Sequence, residues 1–480
     1  MNNFEVVIGI ENHVELKTKS KMFCTGPVEF GATPNTKVSE VDLGYPGALP
    51  TVNKQGVKLA ILAVNALGME LDDLLRFDRK SYFYPDLAKG FQITQQFHPI
   101  GKNGKITITL ENGSEKIISV ERIHIEEDTA KQTHKGNLTY LDYNRSGVGL
   151  IEIVSDPVLR SADEAVGYVE KLREILLFLG ISDVKMNEGS LRCDVNISLR
   201  PFGHPNFGTK VEIKNLNSLN NVKKAIEFEI KRQSALLLSD QEVIMETRRF
   251  DESSNETVSM RIKTDAVDYR YFREPNILPI KLDKNWVLDV IKNSPELPQI
   301  KRRRYLNDYS LKEEEVNQLL ASLELTNFFE VTLKYTNEVN KVVNLLLGDI
   351  QSHLNKNNLE IGATKLTPQL LGTLLELISQ GVISSKHSKT ILPILIENGN
   401  SVEEIIEAHG LKQISDPIQI DGLLTPIFEE NKDLLEQFEQ RPERVTKTIM
   451  GQLMKETGGN ANPDVSQEII LKKIKEYKIK

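Results

Sequence analysis

Phe4-Glu5-Val6-Val7-Ile8-Gly9-Ile10-Glu11-Asn12-His13-Val14-Glu15-Leu16 lies near the start of the chain. Read with period two, it places Phe4, Val6, Ile8, Ile10, Val14 and Leu16 on one face, interrupted only by Asn12. The opposite face carries Glu5, Val7, Gly9, Glu11, His13 and Glu15. This alternation predicts a strand packed on one side, with Glu11, His13 and Glu15 spaced roughly 7 Å apart on the other. A wet edge strand is the plainer reading. A histidine framed by two glutamates is also a candidate hard-metal or proton-transfer site, and carboxylates further along the chain bear on the choice.

Composition narrows the class. A chain of 480 residues has room for two to four domains. Hydrophobic content of 39% and charged content of 27% suit a soluble globular protein. No apolar run reaches the length of a bilayer span, so the expectation is a cytoplasmic protein without leader or membrane anchor. Cys24 and Cys193 are too few for a disulfide scaffold or a four-thiolate zinc site. A formal net charge of -8 argues against general adhesion to nucleic acid, but not against a local basic contact.

Working outward from the opening strand, the passage Gly26 to Pro50 is rich in glycine and proline and reads as tightly turned backbone, either a packed loop or the wall of a site. Asn53 caps a predicted helix through Val57, Ile61 and Val64 that stops near Gly68. Phe77 to Asp86 sets three aromatics between Arg79-Lys80 and Asp86. It reads as a core strand or, in preference, as a surface where Lys80 meets a phosphate and an aromatic meets a ring or ribose. Asn112-Gly113 marks a hairpin.

Val120 to Asp128 alternates again. Ile123, Ile125 and Glu127 share one face, and His124, Glu126 and Asp128 share the other. Glu127 is costly if buried behind two isoleucines without a partner. Glu152 sits alone in the apolar run Leu150-Ile151-Glu152-Ile153-Val154, which suggests a buried ion pair or a metal ligand. Ser161 to Glu164 is a capping box that opens a helix ending at Gly180. Two further alternating stretches put Arg192, Asp194, Asn196 and Ser198 on one face, and Lys210, Glu212 and Lys214 on another. Paired charges of this kind form the floor of a polar ligand site or a set of structural salt bridges. Arg192 and Lys214 are the candidates for holding an anionic cofactor. Arginine beside aromatic and carboxylate recurs at Arg248-Arg249-Phe250-Asp251 and Arg270 to Glu274.

Near Leu282 the spacing becomes helical. Ser310 to Glu313 reads as a capping box, and Thr367-Pro368 as N-cap and first helical residue. The last 80 residues are polarised: 401–440 hold 2 Lys/Arg against 10 Asp/Glu, and 441–480 hold 9 against 5. A helical module with a basic end is a candidate nucleic-acid contact, although a solvated face gives the same pattern. The expected fold is therefore α+β and multidomain: a mostly antiparallel β cradle with helices over 1–292, an all-α domain over 293–400 and a small all-α tail over 401–480.

Several stretches together resemble the B subunits of the bacterial and organellar glutamyl/aspartyl-tRNA amidotransferases, over essentially the whole length. They are Val7 to Leu16, Leu43-Gly44-Tyr45-Pro46-Gly47, Asp78 to Asp86, His124 to Asp128, Leu150 to Ser155, Gly189 to Asp194, Lys214 to Ser218, Asp268 to Phe272 and Ala461-Asn462-Pro463. The resemblance implies a cradle-shaped, kinase-like first domain and a tail that grips tRNA. It implies ATP-dependent phosphorylation of the side-chain carboxylate of misacylated Glu-tRNA(Gln), or of Asp-tRNA(Asn). Amidation then follows, with ammonia that the partner amidase (glutaminase), the A subunit of such complexes, releases from glutamine. A small C subunit completes a heterotrimeric ligase that serves translation.

By the same resemblance His13, Glu127 and Glu152 match the residues that hold Mg²⁺. Glu11 matches a further acidic residue and Lys80 a lysine near the site, so Glu11, Lys80 and Glu152 are the expected catalytic set. Many members carry a zinc-binding cysteine cluster near residues 22–42. Here Cys24 stands with Ser39 and Asp42, and no structural zinc is expected. No Walker-type phosphate loop is present, so the nucleotide must be held differently. The alternative is a non-catalytic tRNA-binding scaffold within the same complex, in which the carboxylates form structural ion pairs. A self-contained glutaminase fits less well, since neither a nucleophilic cysteine setting nor a serine-lysine arrangement of the amidase kind is evident.

Overall fold

The period-two stretches form strands, and the central one is the first. The computed structural model describes residues 4–262 and 268–479. In chain order the strands are β1 (Phe4–Glu15), β2 (Glu70–Leu71), β3 (Leu74–Leu75), β4 (Asp78–Ser81), β5 (Phe91–Thr94), β6 (Gly101–Thr109), β7 (Glu115–Glu127) and β8 (Lys131–Lys135). They continue as β9 (Leu138–Asp142), β10 (Gly149–Ser155), β11 (Leu191–Pro201), β12 (Val211–Leu216), β13 (Glu246–Asp251), β14 (Glu256–Ile262), β15 (Phe272–Arg273) and β16 (Ile280–Lys281).

Among the described residues nine of these build one sheet, in the order β14-β13-β12-β11-β1-β10-β7-β6-β2. Every neighbouring pair is antiparallel except β12 and β13. Smaller ladders are β15-β4-β5, β16-β3 and the hairpin β8-β9.

The even-numbered residues of β1 face the core. Ile8, Ile10 and Val14 join Ile123 and Ile125 of β7, Ile151 and Ile153 of β10, and Val195 and Ile197 of β11 in one apolar cluster. Helices α1 (Lys54–Ala66), α2 (Ala162–Phe178) and α3 (Leu219–Leu238) contribute to that cluster from the other side. Each isoleucine so buried is worth about 1.5–3 kcal/mol. Asn12, the polar interruption, is also buried.

The caps lie where their side chains predict. Asn53 accepts from the Gln55 and Gly56 N–H groups, and Ser161 accepts from Glu164 N–H. The turns after α1 and α2 use Gly68 and Gly180 in the left-handed region that glycine tolerates.

Two compact units divide the chain, Met1–Pro298 and Gln299–Lys480. The second is helical, which with the first gives the expected α+β class. One expected cap differs. Ser310 has φ 53, and the helix Glu313–Leu320 begins later, with the Glu315 carboxylate accepting from Lys312 N–H. Residues 420–474 of this unit enclose an apolar cluster of their own, including Ile420, Leu424, Val445, Ile449 and Ile470.

Glu330 is a hub of polar contacts in the second unit. Its carboxylate accepts from Lys301 Nζ at 2.6 Å, from Tyr305 Oη at 2.9 Å and from Arg304. Burial pushes this carboxyl up, but the hydrogen bonds from Lys301 and Arg304 outweigh it and hold the group below the ordinary carboxylate range. A carboxyl with a lowered folded pKa stabilises fully above its unfolded value, about 4.3, and loses that contribution as pH falls. Glu330→Gln is therefore expected to destabilise this region by about 1–3 kcal/mol at pH 7. The loss should shrink towards pH 3. Hydrogen exchange of the helices Pro298–Asn307 and Leu323–Thr332 at both pH values checks the result.

Candidate metal centre and reaction floor

Strand register builds the site. His13 of β1 pairs with Glu152 of β10 on one side and with Arg192 of β11 on the other. Glu152 in turn pairs with His124 of β7. Directly opposed residues share a face, so His124, Glu152, His13 and Arg192 form one row across four strands, on the side away from the core.

Glu126, two residues along β7, leans into the same row. His13 Nε2 lies 3.5 Å from Glu126 Oε1 and 3.3 Å from Glu152 Oε2. His124 Nε2 lies 3.4 Å from Glu126 Oε2 and 3.1 Å from Glu152 Oε2. One ligand atom from each of His13, Glu126 and Glu152 falls within 4.8 Å of the others. Glu126 and His124 are buried, whereas His13 is partly exposed and gives the cluster its opening.

Two buried carboxylates need positive charge nearby. Burial works against charging the His124 imidazole, but Glu152 and Glu126 outweigh it and push the group up to about 9. His13 is also raised, burial again being overcome by Glu152 and Glu126. Burial alone would raise Glu152, and the two imidazoles instead hold it well below the usual carboxylate range. The same carboxylates and imidazole offer an O, O, N donor set. Hard divalent ions such as Mg²⁺ or Mn²⁺ accept such a set and complete their shells with water.

The site residues expected from the sequence fall into four places, and Glu127 lies apart from the cluster. Its carboxylate accepts from Lys89 Nζ and from Ile93 N–H at 2.9 Å, on the side of β7 opposite to His124 and Glu126. Strand parity is the reason: position 127 shares a face with 123 and 125. Period two had already put His124 and Glu126 on one face. The signal that would have selected them is their register beside Glu152, which no single strand contains.

Lys80 on β4 is next to the cluster. Burial lowers its ammonium, yet the Glu126 charge, with Tyr271 and Glu152, raises it above the ordinary lysine value. Its Nζ lies 4.9 Å from the Tyr269 ring centroid and 5.8 Å from that of Tyr82.

Glu11, Arg192 and Lys214 extend the floor. Glu11 Oε1 accepts from Asn196 Nδ2 at 2.8 Å. Arg192 donates to Asp128 Oδ2 at 2.7 Å, and Lys214 to Asp194 Oδ2 at 2.6 Å. Beyond Glu11 a cavity of about 190 Å³ is lined by Gly9, Ser155, Asn196, Ser198, Phe207 and Lys210, among others. In the turn region before α1, the Asp42 carboxylate accepts from buried Lys21 at 2.6 Å and from Ser39 N–H at 2.9 Å, with Cys24 Sγ 3.3 Å away. An ammonium thus neutralises that carboxylate directly.

Known proteins resemble the chain across both units. The family profile described as the GatB/GatE catalytic domain matches residues 6–288, and the GatB domain matches 327–474. Over 481 residues the chain is 62% identical to the B subunit of the aspartyl/glutamyl-tRNA(Asn/Gln) amidotransferase of Mesoplasma florum, covering 100% of both chains. It is 45% identical to the same-named protein of Oceanobacillus iheyensis, covering 98% of this chain and 99% of that one. With the Staphylococcus aureus protein of that name identity is 46%, covering 98% of each.

The geometry separates adjacent glutamates experimentally. Glu126→Gln and Glu152→Gln are expected to weaken Mn²⁺ binding at least tenfold, as loss of a ligand charge does. Glu127→Gln should leave it within about twofold. Electron paramagnetic resonance titration of free Mn²⁺ against each variant checks the ranking.

Proposed function

Since the chain belongs to the GatB/GatE family of amidotransferase B subunits, we propose that it activates the side-chain carboxylate of a misacylated tRNA with ATP. The substrate is Glu-tRNA(Gln) or Asp-tRNA(Asn), the two classes that the relatives' names carry. The carboxylate oxygen attacks the γ-phosphorus and the bond to ADP breaks, leaving an acyl phosphate. Ammonia then attacks the acyl carbon, inorganic phosphate departs and a proton is lost, giving the amide. In this reading a partner amidase, the A subunit, frees the ammonia from glutamine, and a small C subunit completes the assembly.

The observation that carries the proposal is the convergence of His13, Glu126 and Glu152 on an open polar floor. Phosphoryl transfer asks a protein for alignment and charge neutralisation more than for covalent chemistry. Bound between these three residues, Mg²⁺ would supply neutralising charge at the phosphoryl oxygens. Lys80, kept charged by Glu126, supplies a fixed cation on the same side. The cavity beyond Glu11 suits the nucleoside: Phe207 offers a ring face, Asn196 and Ser198 offer polar atoms, and Lys210 would supply a cation for the phosphates. Arg192 and Lys214, each already paired with an aspartate, hold the floor's charge pattern between the two.

The tail over 401–480 is proposed to hold the tRNA body. Arg441, Arg444 and Lys447, together with Glu443 at 3.9 Å from Lys447, line one open depression of about 710 Å³ at the start of the helix Pro442–Glu456. Three cations so placed fit phosphate oxygens rather than bases.

Glu152→Gln keeps the side chain's shape and removes its charge. The complex carrying it should assemble, bind tRNA and retain glutamine hydrolysis, while hydroxylamine trapping of the acyl phosphate falls on the order of 10²-fold. Trapping at the unmodified rate would favour the scaffold reading. Arg441, Arg444 and Lys447 changed together to Ala should weaken tRNA binding uniformly. The logarithmic salt slope should flatten by about one unit per lost phosphate contact, as filter binding at several salt concentrations would show.

A further inference from the structure

The first unit exposes large apolar side chains beside the reaction floor, on two segments that are tied together. Phe83 is 87% exposed and Tyr84 55%, both on the turn after β4. Leu138 and Tyr140 on β9 are 62% and 54% exposed. The hairpin β8-β9 follows directly from the end of β7, which carries Glu126, and leads back into β10, which carries Glu152.

Three hydrogen bonds join its base to the turn. Tyr143 Oη donates to Pro85 O at 2.5 Å, Ala130 N–H to Asp86 O at 2.9 Å and Thr129 Oγ1 to Asp86 Oδ2 at 3.1 Å. From Tyr84 a run of rings leads inward. The Tyr84 and Tyr82 centroids are 6.2 Å apart, Tyr82 and Tyr269 6.0 Å, and Lys80 Nζ lies over both of the latter. The rings thus form a path from solvent to the cation beside the metal cluster.

The hairpin's cations lie on one strand. Lys131, His134 and Lys135 lie on β8, and among the described residues neither lysine has a carboxylate within ion-pair distance. Lys135 lies 5.9 Å from the Tyr140 ring centroid. The hairpin's acid, Asp142, stands opposite Lys131 in the ladder, and its Oδ1 accepts from the N–H groups of Asn35 and Asn144. Protein–protein contact patches share the aromatic content but are depleted in lysine. Unpaired lysines interleaved with exposed rings are instead the composition of single-stranded nucleic-acid platforms, where bases stack on rings and cations follow the backbone. In the proposed function the floor is taken up by the metal cluster and the nucleotide's phosphates. An RNA whose aminoacyl end enters it is therefore held outside it.

We propose that Phe83, Tyr84 and Tyr140, with Lys131 and Lys135, form the platform for the single-stranded 3′ end of the aminoacyl-tRNA. The terminal bases stack on the exposed rings, the lysines neutralise the adjoining phosphates, and the aminoacyl group reaches inward past Tyr82 and Tyr269. The inference rests on the function proposed above and adds the residues that receive the RNA end.

The test uses the assembled complex and a tRNA with 2-aminopurine in place of its 3′-terminal adenine. Stacking on a ring quenches that fluorescence. Phe83→Ala, Tyr84→Ala and the double change of Lys131 and Lys135 to Ala should each reduce the quench. Each should raise KM for the aminoacyl-tRNA on the order of tenfold. Hydroxylamine trapping at saturating tRNA should stay within about twofold, and Tyr84→Phe, which keeps the ring, should restore the quench.

Unchanged quench and KM in all three variants would overturn the platform while leaving the activation chemistry standing. Loss of partner chains from the Phe83 or Tyr84 variants on gel filtration would overturn it in favour of a protein interface. Absence of ATP-dependent trapping in the unmodified complex would overturn the underlying function instead.

Discussion

Strand register is the constraint on which the rest of the site depends. Antiparallel pairing of β7, β10, β1 and β11 sets His124, Glu152, His13 and Arg192 side by side, although they lie far apart in the chain. A slip of one residue in any of the three ladders would turn that strand's polar set into the core and its isoleucines into solvent. The core opposes such a slip, because Ile10, Ile123, Ile153 and Val195 are all fully buried behind the same residues. The apolar face thus selects the register, and the register assembles the polar face.

Once assembled, the row is a balance of charges that no member could hold alone. Glu152 is buried, and an isolated carboxylate there would take up a proton. The imidazoles of His13 and His124 hold it ionised and lie within ion-pair distance of Glu126 as well. A divalent cation could replace that positive charge without moving the strands. On the back of β7 Lys89 pairs with Glu127, and that pairing occupies Glu127 away from the cluster. Two adjacent glutamates therefore have separate duties.

The two units differ in the kind of stability they offer. The first spreads its polar floor over a wide sheet with one continuous core beneath it, a rigid base suited to holding reacting groups in line. The second is made of short helices with a smaller core over residues 420–474 and ion pairs that range from the part-buried Lys301–Glu330 to the exposed Lys447–Glu443. In the proposed function such a division lets the chemistry sit on a sheet while helices handle a large substrate. The cations at Arg441, Arg444 and Lys447 and those of the β8-β9 hairpin belong to different units, and the two proposals assign them to the body and the end of the RNA respectively.

Much of this was legible in the sequence. Alternation over Phe4–Leu16, Val120–Asp128 and Leu150–Val154 determined strands with one apolar face, because side chains on a strand must alternate whatever surrounds them. Caps such as Asn53 and Ser161 act within one turn, and they were equally readable. The residue types at the floor, carboxylate, imidazole, guanidinium and ammonium, also follow from those faces. What only the tertiary structure decided was which glutamate stands beside Glu152. Parity separates 126 from 127, but it does not say which face meets the carboxylate of another strand; that depends on pairing across long stretches of chain. For the same reason the exposure of Phe83 and Tyr84 lay outside local pattern. Their sequence reads as core strand or, in preference, as surface, and only the end of β4 at Ser81 and the hydrogen bonds to residues 129–143 set them in solvent beside the floor.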